Sequence, residues 1–184
     1  MSLPVVPIPG VDEHGFVDGL ALKKAAAAMS EAEFEATYAT AALEAQARLP
    51  ELGDSLESVG PEGPQLLTIS DRSLEGLRYH GRVAFLTKRP GNPFPLLISI
   101  GRSVSNDLVL AMDSVSKMHG YFTQSEGVWY YADRSSTNGS LLNGERLEAE
   151  RKQPLAPGDL LQLGPNAMLR FEDARGLCQR LCSV

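Results

Sequence analysis

Three short stretches in the second half of this 184-residue chain place donors for an anion beside the glycines of tight turns: Gly101-Arg102, Ser116-Lys117-Met118-His119 and Ser136-Thr137-Asn138-Gly139. Arg102 offers a planar fork with a permanent charge, and Lys117 supplies a second cation. Ser116 and Thr137 add hydroxyl donors, and Asn138 adds an amide. One exposed ion pair contributes only about 0–1 kcal/mol, so several such donors must converge to hold a phosphate monoester. Taken singly, each has an ordinary explanation: Arg102 as a solvated arginine, Ser116 as a turn hydroxyl, Asn138-Gly139 as a turn dipeptide. Their joint occurrence, each closing an alternating apolar run, is what points to binding loops gathered at one end of a sheet-based domain.

The elements that would mount these loops are strands. After residue 80 the apolar period is two, in Val83-Ala84-Phe85-Leu86, Leu96 to Ile100, Leu108-Val109-Leu110, Tyr121-Phe122-Thr123, Val128 to Tyr131, Ser140-Leu141-Leu142, Asp159 to Leu163 and Met168 to Phe171. Turns at Pro90-Gly91-Asn92, Asn138-Gly139, Asn143-Gly144 and Pro157-Gly158 divide them, which predicts an antiparallel β-sandwich. Upstream the pattern differs. Residues 1–18 read as an irregular arm and Leu20 to Met29 is alanine-rich. Ser30 with Glu33 then forms a capping-box signature ahead of a stripe of Phe34, Tyr38, Ala42, Ala45 and Leu49, which predicts a helix ending at Pro50. Prolines, glycines and acids from Pro50 to Pro64 read as a linker, and Leu66 to Ile69 as a short strand. The expected organisation is an N-terminal arm, helical segment and acidic linker over 1–64, a connecting segment over 65–79, the sandwich over 80–175 and a tail over 176–184.

Composition narrows the function. Hydrophobic residues make up 43% of the chain, and no apolar run approaches the roughly 20 residues of a membrane helix. The N-terminus lacks the pattern of a signal peptide, so the expectation is a cytoplasmic protein with no membrane partner. The net charge of −6 is uneven: residues 1–79 carry 5 basic and 13 acidic side chains, and residues 80–175 carry 11 and 10. A pI near 5.1 argues against non-specific nucleic-acid binding. Cys178 and Cys182, four residues apart with no nearby histidine, do not complete a four-ligand zinc site and read as reduced thiols.

With Asn106-Asp107 and Leu142-Asn143-Gly144 added, the three stretches resemble the forkhead-associated (FHA) domain over about residues 80–175, in the family's order and spacing. The resemblance implies a mainly β, FHA-type antiparallel sandwich, here with an N-terminal helical extension, that binds phosphothreonine. It implies that Arg102, Ser116, Lys117 and Thr137 lie at or near the phosphate and that Asn138 binds the peptide main chain beside it. Gly101, His119, Gly139 and Asn143 are implied to support the site, His119 by bracing the recognition loop. The family often has arginine where this chain has Lys117, which keeps the charge and loses the fork.

The implied function is a phosphothreonine-dependent interaction module downstream of a Ser/Thr kinase, partnered by a phosphothreonine-containing protein, whether a kinase or its substrate. No cofactor, metal or catalytic residue is expected. Ser116 and His119 lack the third partner and nucleophile elbow of a hydrolase. The alternative is a phosphate-independent structural scaffold or adaptor whose sandwich binds a protein surface, with the helix bearing the Phe34 to Leu49 stripe as a self-association or docking element. Thr68, with Asp71 three residues on, is a further expectation: a phosphorylation site able to occupy the chain's own pocket.

Overall fold

A computed structural model describes residues 8–38, 40–46 and 75–183. Among the described residues twelve strands form two sheets: β1 (Phe16–Asp18), β2 (Ala42–Gln46), β3 (Arg82–Phe85), β4 (Ile98–Gly101), β5 (Leu108–Val109), β6 (Gly120–Ser125), β7 (Val128–Asp133), β8 (Ser140–Leu142), β9 (Glu145–Arg146), β10 (Gln153–Leu155), β11 (Leu160–Leu163) and β12 (Ala167–Glu172). One sheet has seven strands in the order β1-β3-β2-β12-β11-β8-β9, and the other has five in the order β10-β7-β6-β4-β5. Neighbours are antiparallel except for the parallel pair β4 and β5. The mainly β, mostly antiparallel sandwich with a helical N-terminal part is therefore as the sequence predicts.

Alternation decides which side chains meet between the sheets. Along β6 and β7, Phe122, Trp129 and Tyr131 turn inward to join Ile98, Ile100, Leu161, Leu163, Leu169 and Phe171 in the main core. A second core lies on the other face of the seven-stranded sheet. There α1 (Gly19–Ala27), α2 (Glu31–Thr37) and α3 (Ala174–Cys182) contribute Leu22, Ala26, Phe34 and Leu177 against Val17, Ala42, Val83 and Phe85. Side-chain caps start all three helices: Asp18 accepts from Ala21 N at 2.8 Å, Ser30 and Glu33 close the capping box, and Asp173 accepts from Gly176 N at 2.7 Å.

One expectation is corrected. The helix begun at Ser30 ends at Thr37, because Tyr38 leaves the helical region with φ −113° and ψ 48°. Residues 42–46 then form β2, paired with β12 and β3. Leu43 and Ala45 face the main core, Ala42 faces the helices, and Glu44 reaches Arg180 Nη2 at 2.6 Å. The apolar residues that fit a helical stripe thus serve two opposite faces of a central strand. Strands from residues 16–18 and 42–46 enter the same sheet as those after residue 80. Leu49, Pro50, the strand expected at 66–69 and Thr68 lie outside the described residues.

Among the described residues, no helix is long and apolar enough to cross a membrane. Cys178 is buried and Cys182 exposed, and both are free.

Candidate functional site

Loops between β4 and β5, β5 and β6, and β7 and β8 come together at one end of the sandwich, and main-chain bonds fix their relation. Arg102 N donates to Ser116 O at 2.9 Å, Ser103 N to Lys117 O at 3.1 Å, and His119 N to Ile100 O at 2.9 Å. The chain after β4 is thereby laced to the Ser116–His119 stretch. Close approach requires glycine at 101: a Cβ there would stand 2.5 Å from Lys117 O and 2.9 Å from both Ser116 O and His119 N.

His119 is fully buried and joins two of the loops. Its Nδ1 accepts from Ser116 N at 3.1 Å, so the neutral ring carries its proton on Nε2, which donates to Gly139 O at 3.2 Å. Burial holds its pKa below the ordinary histidine value, although the Asp133 charge and the Gly139 carbonyl pull the other way. Gly139 itself sits at φ +73°, where a Cβ would lie 2.5 Å from Arg146 Nη2. Its carbonyl also accepts from Gly164 N at 2.9 Å.

Asp133, at the end of β7, organises the third loop. Its Oδ1 accepts from Ser136 N at 2.8 Å, and its Oδ2 accepts from Ser136 Oγ at 2.7 Å and Ser140 Oγ at 2.5 Å. Burial pushes this carboxyl up, but the hydrogen bonds from Ser140 and Ser136 outweigh it and hold the pKa below the usual aspartate value. Because Ser140 Oγ gives its proton to Asp133, the Tyr131 hydroxyl donates to Ser140 at 2.9 Å, and the phenol is held far above its normal range by burial.

On this frame stand the side chains singled out by sequence. Ser116 Oγ accepts from Thr137 N at 3.0 Å and donates to Thr137 Oγ1 at 3.4 Å. At 3.4 Å the bond to Thr137 is weak, so a stronger acceptor can take the Ser116 hydrogen. Arg102 is 43% exposed, donates from Nε to Val115 O at 3.2 Å and has Nη1 4.0 Å from Asp113 Oδ1. Lys117 is exposed. Asn138 is exposed too, but its amide donates to Ser114 O at 2.8 Å, tying the third loop to the second. Asn143 stands apart on the β8–β9 turn at φ +52°, where it donates to Asp159 Oδ1 at 2.8 Å and accepts from Leu160 N at 2.9 Å.

The arrangement suits anion binding better than nucleophilic chemistry. The histidine nitrogen nearest Ser116 is spent on its amide, so it does not act as base toward its hydroxyl. Among the described residues no group of three or more His, Cys, Asp or Glu could hold a metal.

Sequence reasoning missed two polar clusters. Asp133 with Ser136 is a local pattern, a carboxylate capping the amide three residues on, that could have been read from Asp-x-x-Ser. Asp107 is different. It is buried and accepts from Lys88 Nζ at 2.8 Å, Ser99 N at 2.8 Å, Asn92 Nδ2 at 2.9 Å and Arg89 N at 2.9 Å, anchoring the far end of the Arg102 loop. Nothing in Thr87-Lys88-Arg89-Pro90 distinguishes a lysine that will be buried.

Residues 98–164 match the family model of the FHA domain. The chain is 44% identical over 55 residues to the E3 ubiquitin-protein ligase DMA2 of Saccharomyces cerevisiae, covering 27% of this chain and 10% of the ligase. It is 32% identical over 80 residues to an FHA domain-containing protein of Arabidopsis thaliana, covering 43% of this chain and 20% of that protein. The chain thus spans a tenth to a fifth of the length of these relatives. Similar solved structures include the FHA domain of an Arabidopsis thaliana hypothetical protein, with 29% identity, TM-score 0.41 and coverage of 48% of this chain and 73% of that one. Another is the MEK1 FHA domain in complex with a HOP1 phosphothreonine peptide, with 26% identity, TM-score 0.40 and coverage of 50% and 87%.

Proposed function

We propose that this chain, whose residues 98–164 match the FHA family model, carries on the expected FHA domain over 80–175 a phosphothreonine-dependent docking site for a partner protein. In this reading Arg102, Lys117, Ser116 and Thr137 hold the phosphate, and Asn138 holds the peptide main chain beside it. The observation that carries it is the bond from Thr137 N to Ser116 Oγ at 3.0 Å. It joins the two hydroxyl-bearing loops next to the stretch laced to Arg102 by main-chain bonds, and the Ser116 hydrogen, held only by a long 3.4 Å bond to Thr137 Oγ1, can turn to a phosphate oxygen. A phosphate dianion offers several acceptor oxygens and is matched by two cations and two hydroxyls.

The chain reads the product of a Ser/Thr kinase and performs no transfer itself. Its partner is a phosphothreonine-bearing protein, either such a kinase or a kinase substrate. Titration calorimetry on the purified chain with matched threonine, phosphoserine and phosphothreonine peptides tests the reading. Heat of binding with the phosphothreonine peptide alone, or several-fold in its favour, is expected. Equal affinity for the unphosphorylated peptide would instead make the domain a phosphate-independent scaffold.

A further inference from the structure

The three helices cover the seven-stranded sheet, whereas the outer face of the five-stranded sheet bears an open groove of about 780 Å³. Its floor is set by alternation: Phe122, Trp129 and Tyr131 point into the main core, which leaves Tyr121, Thr123 and Tyr130 facing out. Phe94 and Leu96, from the connection between β3 and β4, form one wall and are 47% and 62% exposed. Neighbouring large apolar side chains exposed along an aromatic-floored groove mark an interaction surface more than scattered surface leucines do.

Two features select the occupant. The first is charge: Arg134 and Lys152 line the groove, and Arg134 shares its charge with Glu150 at 3.0 Å across a half-exposed pair. Carboxylates beside an apolar stretch would complement this rim. The second is continuity with the reading loops. Met118 lines the groove and directly follows Lys117, and Arg134 lines it at the start of the loop that bears Thr137 and Asn138. Arg134 N donates to His119 O at 2.8 Å, so groove and loops share one rigid support.

We propose that this groove is a second docking surface for the same phosphorylated partner, taking a short apolar stretch flanked by Asp or Glu that continues away from the phosphothreonine. The inference rests on the phosphothreonine reading above. Once the phosphate is held, the adjoining stretch binds at high effective concentration, so a weak groove contact adds to affinity and to partner choice.

Fluorescence anisotropy on the full chain with three labelled phosphothreonine peptides tests this. A core probe has three neutral residues on each side of the phosphothreonine. Two extended probes add Asp-Leu-Phe-Asp-Leu at the N-terminal or the C-terminal end. One extended probe is expected to bind about tenfold tighter than the core probe, with the gain lost in Leu96→Asp and reduced in Lys152→Glu. Core-probe affinity should be unchanged in both variants, whose exposed positions leave the circular dichroism spectrum intact. Equal affinity of all three probes, or a gain that survives Leu96→Asp, overturns the groove proposal and leaves the phosphothreonine site standing. Failure of the core probe itself overturns both. Self-association of the free chain in light scattering that Leu96→Asp abolishes would assign the groove to a second copy and overturn the proposal as stated.

Discussion

His119 Nδ1 accepts the amide hydrogen of Ser116 at 3.1 Å, so a fully buried imidazole sets the position of the loop that bears Ser116 and Lys117. The same ring donates to Gly139 O, at the end of the loop that bears Thr137 and Asn138. Side chains that face solvent are placed by one that does not.

Removing that ring should first cost stability. His119→Ala leaves Ser116 N without its acceptor, at a cost of about 1–3 kcal/mol for a buried group left unsatisfied, and takes from Gly139 O one of two donors, Gly164 N remaining. The melting temperature should fall by several degrees, and peptide affinity should fall with it as the loops loosen. A melting curve identical to wild type would mean that the ring braces nothing.

Stability should also depend on pH through this residue. The folded-state pKa of His119 lies below the unfolded value of about 6.5. The unfolded chain therefore takes up a proton that the folded chain refuses as pH drops below about 6.5, and stability falls with it. Asp133, also lowered in the folded state, adds a loss only where pH falls below its unfolded value of about 3.8. Denaturant melts between pH 7.5 and 5.5 should show a decline that is weaker in His119→Gln.

Gly101→Ala should damage recognition through the main chain. The added Cβ meets Lys117 O at 2.5 Å and His119 N at 2.9 Å, which are backbone atoms that cannot swing aside. Overpacking of this kind costs about 1–3 kcal/mol. The variant should melt lower and bind phosphopeptide more weakly than wild type. Wild type and variant can be compared in one melting and titration series.

The sandwich was legible because β6 and β7 alternate cleanly around Phe122, Trp129 and Tyr131, and the turns between strands carry Asn-Gly and Pro-Gly. The Ser30–Glu33 capping box was legible for the same reason: it is a local pattern. Residues 42–46 misled because Ala-Leu-Glu-Ala-Gln is made of helix formers, and only pairing with β12 and β3 turns it into a strand. At the site, residue types announced the donors but not their bracing. The Asn138 amide reads in sequence as free for a ligand, whereas the fold spends part of it on Ser114 O, 24 positions upstream.

That bond gives Asn138→Ala a mixed phenotype. An exposed hydrogen bond contributes about 0.5–1.5 kcal/mol, so a small stability loss should accompany the larger loss of peptide affinity. Melting and titration on the same protein separate the two.

The central claim is tested most directly by calorimetric titration of Arg102→Ala with the phosphothreonine peptide, next to wild type. Arg102 supplies the charge-assisted fork, and hydrogen bonds to charged groups contribute about 1.5–3 kcal/mol, which is about a tenfold to 150-fold loss of affinity. The predicted result is a loss of at least tenfold with an unchanged circular dichroism spectrum. Wild-type affinity in a folded Arg102→Ala protein would contradict the phosphate-reading role given to this end of the sandwich.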